Sequence, residues 1–232
     1  MRRSFPSLLR PALCSAILCS LATLAQAEAI SFGPDLSTQG WKPLTFRSIP
    51  PVDFRAEGAS RLTLRADKGA SVIWRGLDEN LWPARSAQWR WRVETSVPAT
   101  DLTIKGKDDR ALALYFVFAR DEAAARSAKG SSSLTSAMWW SSGAALVYVW
   151  GGNASPGAVL PSPHMGTSGK LLVRQIATRA DGKWVSEKAD LAADFRRAFG
   201  REPGPLVGIA ISSDSDDTGG LNVAGIEALA VN

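Results

Sequence analysis

Residues 88–97, Gln-Trp-Arg-Trp-Arg-Val-Glu-Thr-Ser-Val, alternate between polar and apolar side chains as far as Glu94. Trp89, Trp91 and Val93 fall on one side, Arg90, Arg92 and Glu94 on the other. A period of two describes a strand with one face buried and one solvated. Upstream, Leu62 and Leu64 alternate with Arg61, Thr63 and Arg65 in the same way. Downstream, residues 111–119 (ALALYFVFA) are apolar at both parities, as in a central strand covered on both faces. Residues 41–49, 71–75, 144–150, 170–178, 183–187, 206–212 and 225–231 complete a set of short strands separated by turns. The expected fold is all-β: an antiparallel β-sandwich, jelly-roll-like, galactose-binding-like or lectin-like, with one or two short helices.

The helical signals are few. In residues 190–199, Leu191, Phe195 and Phe199 recur at helical spacing, with Asp190 as N-cap and Gly200 as stop. Residues 121–128 have room for two helical turns. They lead into a Gly/Ser-rich loop, 129–142, that carries Trp139 and Trp140. Residues 151–169, rich in Gly and Pro, read as a second loop.

The chain has 232 residues, 45% of them apolar and 21% charged, which excludes wholesale disorder. Residues 1–27 have the parts of a secretory signal. Arg2, Arg3 and Arg10 form the basic part, residues 11–24 the apolar run, and Ala25-Gln26-Ala27 the cleavage site. That run is shorter than the ~20 residues of a spanning helix, so no transmembrane anchor is expected after cleavage. Neither Cys14 nor Cys19 has the small preceding residue of a lipid-attachment site. A single domain, 28–232, in the periplasm or the medium is the expectation. The three leader arginines leave 24 basic residues against 22 acidic ones, a net +2 in place of +5. Such a balance gives no basic field for nucleic acid. Both cysteines leave with the leader. One histidine and no thiol nearly rule out a zinc site.

Common catalytic signatures are absent: there is no G-x-S-x-G, G-x-G-x-x-G or H-E-x-x-H. Gly166-Thr167-Ser168-Gly169-Lys170 is followed by Leu171, where a phosphate loop needs Ser or Thr. His164, in Pro-Ser-Pro-His-Met-Gly, reads as a surface-loop histidine. The acidic clusters carry more. Asp214-Ser215-Asp216-Asp217-Thr218-Gly219 follows an apolar strand, and Asp214, Asp216 and Thr218 place oxygen ligands on alternate residues, as in the first half of a calcium loop. The twelfth position is Gly225 rather than Glu, so this is not an EF-hand. The alternative is a polar turn whose Asp side chains cap their own backbone. Asp108-Asp109-Arg110 forms a second cluster, in which Arg110, Lys105 and Lys107 are available to pair with the two carboxylates on the surface. If Asp109 met Asp214 or Asp216 across the sandwich, two carboxyls would be placed for acid–base chemistry on a glycoside.

The chain has nine tryptophans. Trp74, Trp89 and Trp91 lie in strand pattern and read as core. Trp139, Trp140 and Trp150 border loops, where an indole either stacks on a sugar face or folds back over a sheet end.

Taken together, several segments resemble the bacterial family known as domain of unknown function 3047. They are, in order, Trp89-Arg90-Trp91-Arg92-Val93, Gly106-Lys107-Asp108-Asp109-Arg110 with Leu114-Tyr115-Phe116-Val117-Phe118, Leu146-Val147-Tyr148-Val149-Trp150, Asp194-Phe195 with Phe199-Gly200, and Ile211 to Thr218. Two features depart from the pattern: Ala111-Leu112-Ala113-Leu114, where the family has an arginine within the strand, and the long insertion 123–142. The resemblance implies an exported β-rich domain in which both acidic clusters and the WRWRV strand share one framework. It implies no activity.

Three functions follow as expectations. The first is a non-enzymatic protein that binds a glycan or another envelope component through Trp139, Trp140, Trp150, Asp108, Asp109 and Arg110. Calcium, if any, would sit on Asp214, Asp216 and Thr218. The second is a glycosidase or polysaccharide lyase using Asp109 with Asp214 or Asp216. The third is a structural or protein-interaction module of the envelope.

Overall fold

The computed structural model describes residue 1 and residues 27–130, 134–136 and 142–232. The leader expectation at 1–27, with Cys14 and Cys19, falls almost wholly outside the described residues, and so do Trp139 and Trp140.

Two sheets face one another. The first has six strands: β3 (Asp53–Glu57), β4 (Arg61–Asp67), β13 (Leu221–Val231), β6 (Ser86–Thr95) and β11 (Val185–Asp190) in spatial order, with β1 (Glu28–Ala29) beside β13. The second has seven: β2 (Lys42–Thr45), β5 (Ala70–Gly76), β12 (Leu206–Asp214), β7 (Arg110–Phe118), β8 (Ala144–Trp150), β10 (Gly166–Gln175) and β9 (Val159–Ser162). The molecule is a β-sandwich, and its pairings are antiparallel apart from β8–β10, which run parallel.

The alternation at 88–97 does what its period requires. Trp89, Trp91 and Val93 of β6 point into the space between the sheets and are buried. Leu112, Leu114 and Phe116 of β7 and Leu146, Tyr148 and Trp150 of β8 meet them from the other side. Aromatic rings lock the layers: Trp89 lies 5.2 Å from Tyr148 and Trp91 5.6 Å, edge to face, from Trp150. Such pairs add about 0.5–1.5 kcal/mol beyond their burial.

The opposite parity of β7 and β8 is also buried. Ala113, Tyr115 and Val117 with Ala145, Val147 and Val149 form a second apolar layer on the outer face of the seven-stranded sheet. Helix α1 (Glu122–Ala128) covers part of it with Ala124 and Ala125. Two helices follow their caps. Asp121 accepts the N–H of Ala124 at α1, and Asp190 accepts that of Ala193 at α2 (Leu191–Phe199). Gly200 ends α2 at φ 68°, a left-handed conformation that favours glycine.

Two details depart from expectation. Residues 151–169 are not simply a loop: β9 and the start of β10 form a hairpin there. β3, which pairs with β4, was not among the expected strands, although Phe54 and Ala56 alternate there with Asp53, Arg55 and Glu57.

Candidate functional site

Strand pairing brings the two acidic clusters together. β7 starts at Arg110, β12 ends at Asp214, and the two residues are register partners. Asn222, at the beginning of β13 and fully buried, ties the junction. Its amide donates to the carbonyls of Arg110 (3.2 Å) and Asp214 (2.7 Å), and its Oδ1 accepts the N–H of Val97. The convergence that spacing alone left open is thus a consequence of β12 lying beside β7.

Arg110 is the charge centre of the junction. Its Nη1 donates to the carbonyl of Asp108 (2.8 Å), to Asp108 Oδ2 (3.2 Å) and to Asp214 Oδ2 (3.4 Å). Nη2 donates to the hydroxyl of Tyr115 at 3.0 Å, which contacts Ser212 Oγ at 3.1 Å. Burial opposes this charge, but Tyr115 and the carboxylates of Asp214 and Asp108 outweigh it and hold the guanidinium protonated. The surface pairing expected for Arg110 does not occur, because its partners lie inside with it.

Asp109 is completely buried and serves the backbone. Its Oδ2 accepts the N–H (2.7 Å) and hydroxyl (2.6 Å) of Thr218, and its Oδ1 the N–H of Asp217 (3.4 Å). It caps the 215–219 turn from below. Asp214 is different: its Oδ1 is shielded from solvent and has no hydrogen-bond partner among the described residues. Burial, with the adjacent carboxyls of Asp216 and Asp109, pushes its pKa up to about 8 against the pull of Arg110. Asp217 moves in the same direction, through burial and the neighbouring Asp109, Asp216 and Asp108.

Over this junction, on the outer face of the seven-stranded sheet, lies a cleft of about 1170 Å³. Leu44, Phe46, Val72, Leu134, Met165 and Leu171 contribute its apolar walls. Asp108, Arg110, Tyr115, Ser212, Asp214 and Asp216 form a polar end. Phe46, in the turn after β2, is a large apolar side chain left exposed on this wall. His164, which lines the cleft from the β9–β10 hairpin, has Nε2 2.9 Å from Asp108 Oδ2. Ser162 Oγ shapes that turn by accepting the N–H groups of His164 and Met165.

The site residues expected from sequence separate accordingly. Asp108, Arg110, Asp214 and Asp216 share the cleft. Asp109 lies behind it and does not line it, so the expected use of Asp109 as a cleft acid or base gives way to a capping role. Trp150 is a correction: it is fully buried between the sheets, with Nε1 donating to the carbonyl of Arg179 at 2.9 Å, and presents no surface to a ligand. Its place in the inward parity of β8, with Leu146 and Tyr148, decides this. Phe46 and His164 are additions. His164 is 56 residues from its carboxylate partner, a separation that leaves no mark in the sequence.

Asp109, Asp214 and Asp216 each offer an oxygen within 4.8 Å of the others, the arrangement available to a cation. Thr218, expected as a ligand beside Asp214 and Asp216, instead donates its hydroxyl to Asp109. Arg110 places a positive charge 3.4 Å from Asp214 and so competes with a cation for that carboxylate.

A family model matches residues 39–229, which contain both sheets' central strands and the whole polar end of the cleft. The chain belongs to the DUF3047 family of proteins of unknown function. No curated protein matches this DUF3047 chain. Among solved structures it is similar to the xyloglucanase domain of NopAA, a type three effector from Sinorhizobium fredii, in complex with cellobiose. The identity is 11%, the match covers 90% of this chain and 98% of that one, and the TM-score is 0.45. It is also similar to the K1 cleaved adhesin domain of Lys-gingipain from Porphyromonas gingivalis W83, at 11% identity, covering 89% and 96% of the two chains with a TM-score of 0.36. At these scores, what the DUF3047 cleft does rests on its own residues.

Proposed function

We propose that this DUF3047 protein is an exported glycan-binding β-sandwich whose ligand lies in the cleft over the seven-stranded sheet. The observation that carries the proposal is the cleft's division into apolar walls and a polar end. A sugar ring has the matching division, with apolar C–H faces and a rim of hydroxyl donors. Phe46 offers a ring face at the wall, while Asp216, Asp214 and Ser212 supply acceptors for hydroxyls. A cleft of about 1170 Å³ exceeds the usual volume of a small-molecule site, about 300–1,000 Å³, and suits several linked sugar units. The leader composition of residues 1–27 and the near-neutral remainder support a periplasmic or secreted location and an envelope glycan as partner. Among the described residues, no helix is long and apolar enough to cross a membrane.

A glycan array with the full chain tests this, followed by calorimetry on the best ligand. Phe46→Ala and Asp216→Asn are expected to weaken binding about tenfold each, the loss of one ring contact and one charged acceptor. Trp139→Ala and Trp140→Ala test the loop platform expected from sequence. An empty array, or full affinity in both Phe46→Ala and Asp216→Asn, overturns the proposal.

A further inference from the structure

Ser212 interrupts an apolar row on the floor of the cleft. Leu44, Val72, Ser212, Ala113 and Val149 are successive register partners across β2, β5, β12, β7 and β8, on the outer face of the seven-stranded sheet. Leu44, Val72 and Ser212 line the cleft. Ser212 is 2% exposed, and its hydroxyl has one hydrogen-bond partner among the described residues, the hydroxyl of Tyr115 at 3.1 Å. A guanidinium only donates, so Arg110 Nη2 gives a proton to the Tyr115 oxygen. The Tyr115–Ser212 contact uses one of the two hydroxyl protons, and the other has no acceptor among the described residues. A phenol is the stronger donor of the pair, and the Arg110 contact strengthens it further, so Tyr115 donates to Ser212 Oγ. The proton left over is that of Ser212. A nearly buried hydroxyl proton without an acceptor is costly, and a ligand that brings the acceptor removes the cost.

We propose that the glycan held in the cleft is an N-acetylated amino sugar whose acetamido carbonyl accepts the Ser212 hydroxyl proton. The inference rests on glycan binding and names the class of sugar. The methyl of the acetamido group goes to Val72 and Leu44, next along the row at the strand spacing of about 4.8 Å. Its N–H faces the carboxyl of Asp214, two residues along β12 on the same side of the sheet. Asp214 Oδ2 and the Tyr115 hydroxyl are held by the two terminal nitrogens of one guanidinium, which fixes the acceptor and the relay to a common frame. A carboxyl presents an acceptor oxygen in either protonation state, so this contact does not depend on its charge. Ser212 Oγ keeps a second lone pair for a sugar hydroxyl. Other sugars leave part of the site unserved. A free amine carries only donors, leaves the Ser212 proton without an acceptor and sets a cation beside Arg110. A uronate carboxylate meets Asp214, Asp216 and Asp217. A plain hydroxyl takes the Ser212 proton but brings nothing to Val72 and Leu44.

Calorimetry of the full chain with three β-1,4-linked tetrasaccharides that differ only at carbon 2 tests this: the N-acetylglucosamine, glucosamine and glucose forms. Wild type is expected to bind the acetylated tetramer about tenfold more tightly than either of the others. Ser212→Ala, which removes the donor, is expected to weaken that binding about tenfold and to abolish the preference over the glucose tetramer. Tyr115→Phe leaves Ser212 in place but releases its hydroxyl from the relay, and is expected to reduce the preference several-fold. Far-UV circular dichroism and melting temperature confirm that both variants fold. Equal or tighter binding of the glucosamine or glucose tetramer by wild type, or no binding of any of the three, overturns the inference, and so does a preference that survives intact in either variant. Array ligands that all lack an acetamido group overturn it while glycan binding stands. An empty array defeats both proposals at once.

Discussion

Asp109 Oδ2 accepts both the N–H and the hydroxyl of Thr218, at 2.7 and 2.6 Å, across 109 positions of sequence. The turn that presents Asp216 and Asp217 to the cleft is therefore hung from a fully buried carboxylate on the neighbouring strand. Removing that carboxylate strands the donors of Thr218. Asp109→Ala is expected to destabilise the fold by about 2–4 kcal/mol, and Thr218→Val, which keeps the backbone bond, by about 1–2 kcal/mol. Urea denaturation checks both. If Asp109→Ala costs less than Thr218→Val, the cap is not the anchor of the turn.

Trp150 illustrates the other direction, a side chain read as a surface platform that is core. Fully buried and packed edge to face on Trp91, it leaves a large cavity when truncated. Trp150→Ala is expected to cost about 3–5 kcal/mol, against less than about 1.5 kcal/mol at the exposed Phe46. Thermal denaturation of the two variants gives the comparison, and a near-neutral Trp150→Ala would return that residue to the surface.

What was legible in the sequence was whatever periodicity or a local cap determines. Trp89 and Trp91 announced their sheet face, residues 111–119 announced a doubly covered strand, and Asp190 with Gly200 bounded α2 within a residue. The inward parity of Leu146, Tyr148 and Trp150 was also present, but the adjoining Gly-rich segment drew attention to the loop instead. The site was legible only as ingredients. Arg110 meets Asp214 through the register of β7 on β12, and His164 meets Asp108 through a hairpin whose Gly and Pro content mimics a plain loop. Pairings between distant strands are set by the packing of whole sheets, which no local pattern records.

Calcium tests the role of Arg110. The guanidinium lies 3.2 Å from Asp108 and 3.4 Å from Asp214, so the cluster already has an internal cation. The melting temperature in millimolar calcium is expected to match that in chelator within about 1 °C, because an ion that does not bind the native state adds no linkage term. An upward shift of several degrees would assign a metal to Asp109, Asp214 and Asp216. Arg110→Ala, which leaves buried carboxylates uncompensated, is expected to cost about 3–5 kcal/mol.

Asp214 gives the protein a pH dependence opposite to that of an ordinary ion-paired carboxylate. In the unfolded chain its proton leaves near pH 4, whereas burial and the neighbouring Asp216 and Asp109 keep it in the folded chain up to about pH 8. Between those values the native state binds more protons than the unfolded one, so this residue's contribution to stability falls as pH rises through the window and levels off above it. Asparagine at the same place carries no ionisable proton, and Asp214→Asn is expected to flatten the decline. At pH 9, where the wild-type carboxylate is charged and only partly compensated by Arg110, the variant is expected to melt at least about 2–4 °C higher, corresponding to about 1 kcal/mol for a domain of this size. Melting curves of both proteins from pH 4 to 9 provide the check. Parallel curves across that range would mean that Asp214 ionises in the folded protein as readily as in the unfolded one, and that Arg110 alone sets its charge.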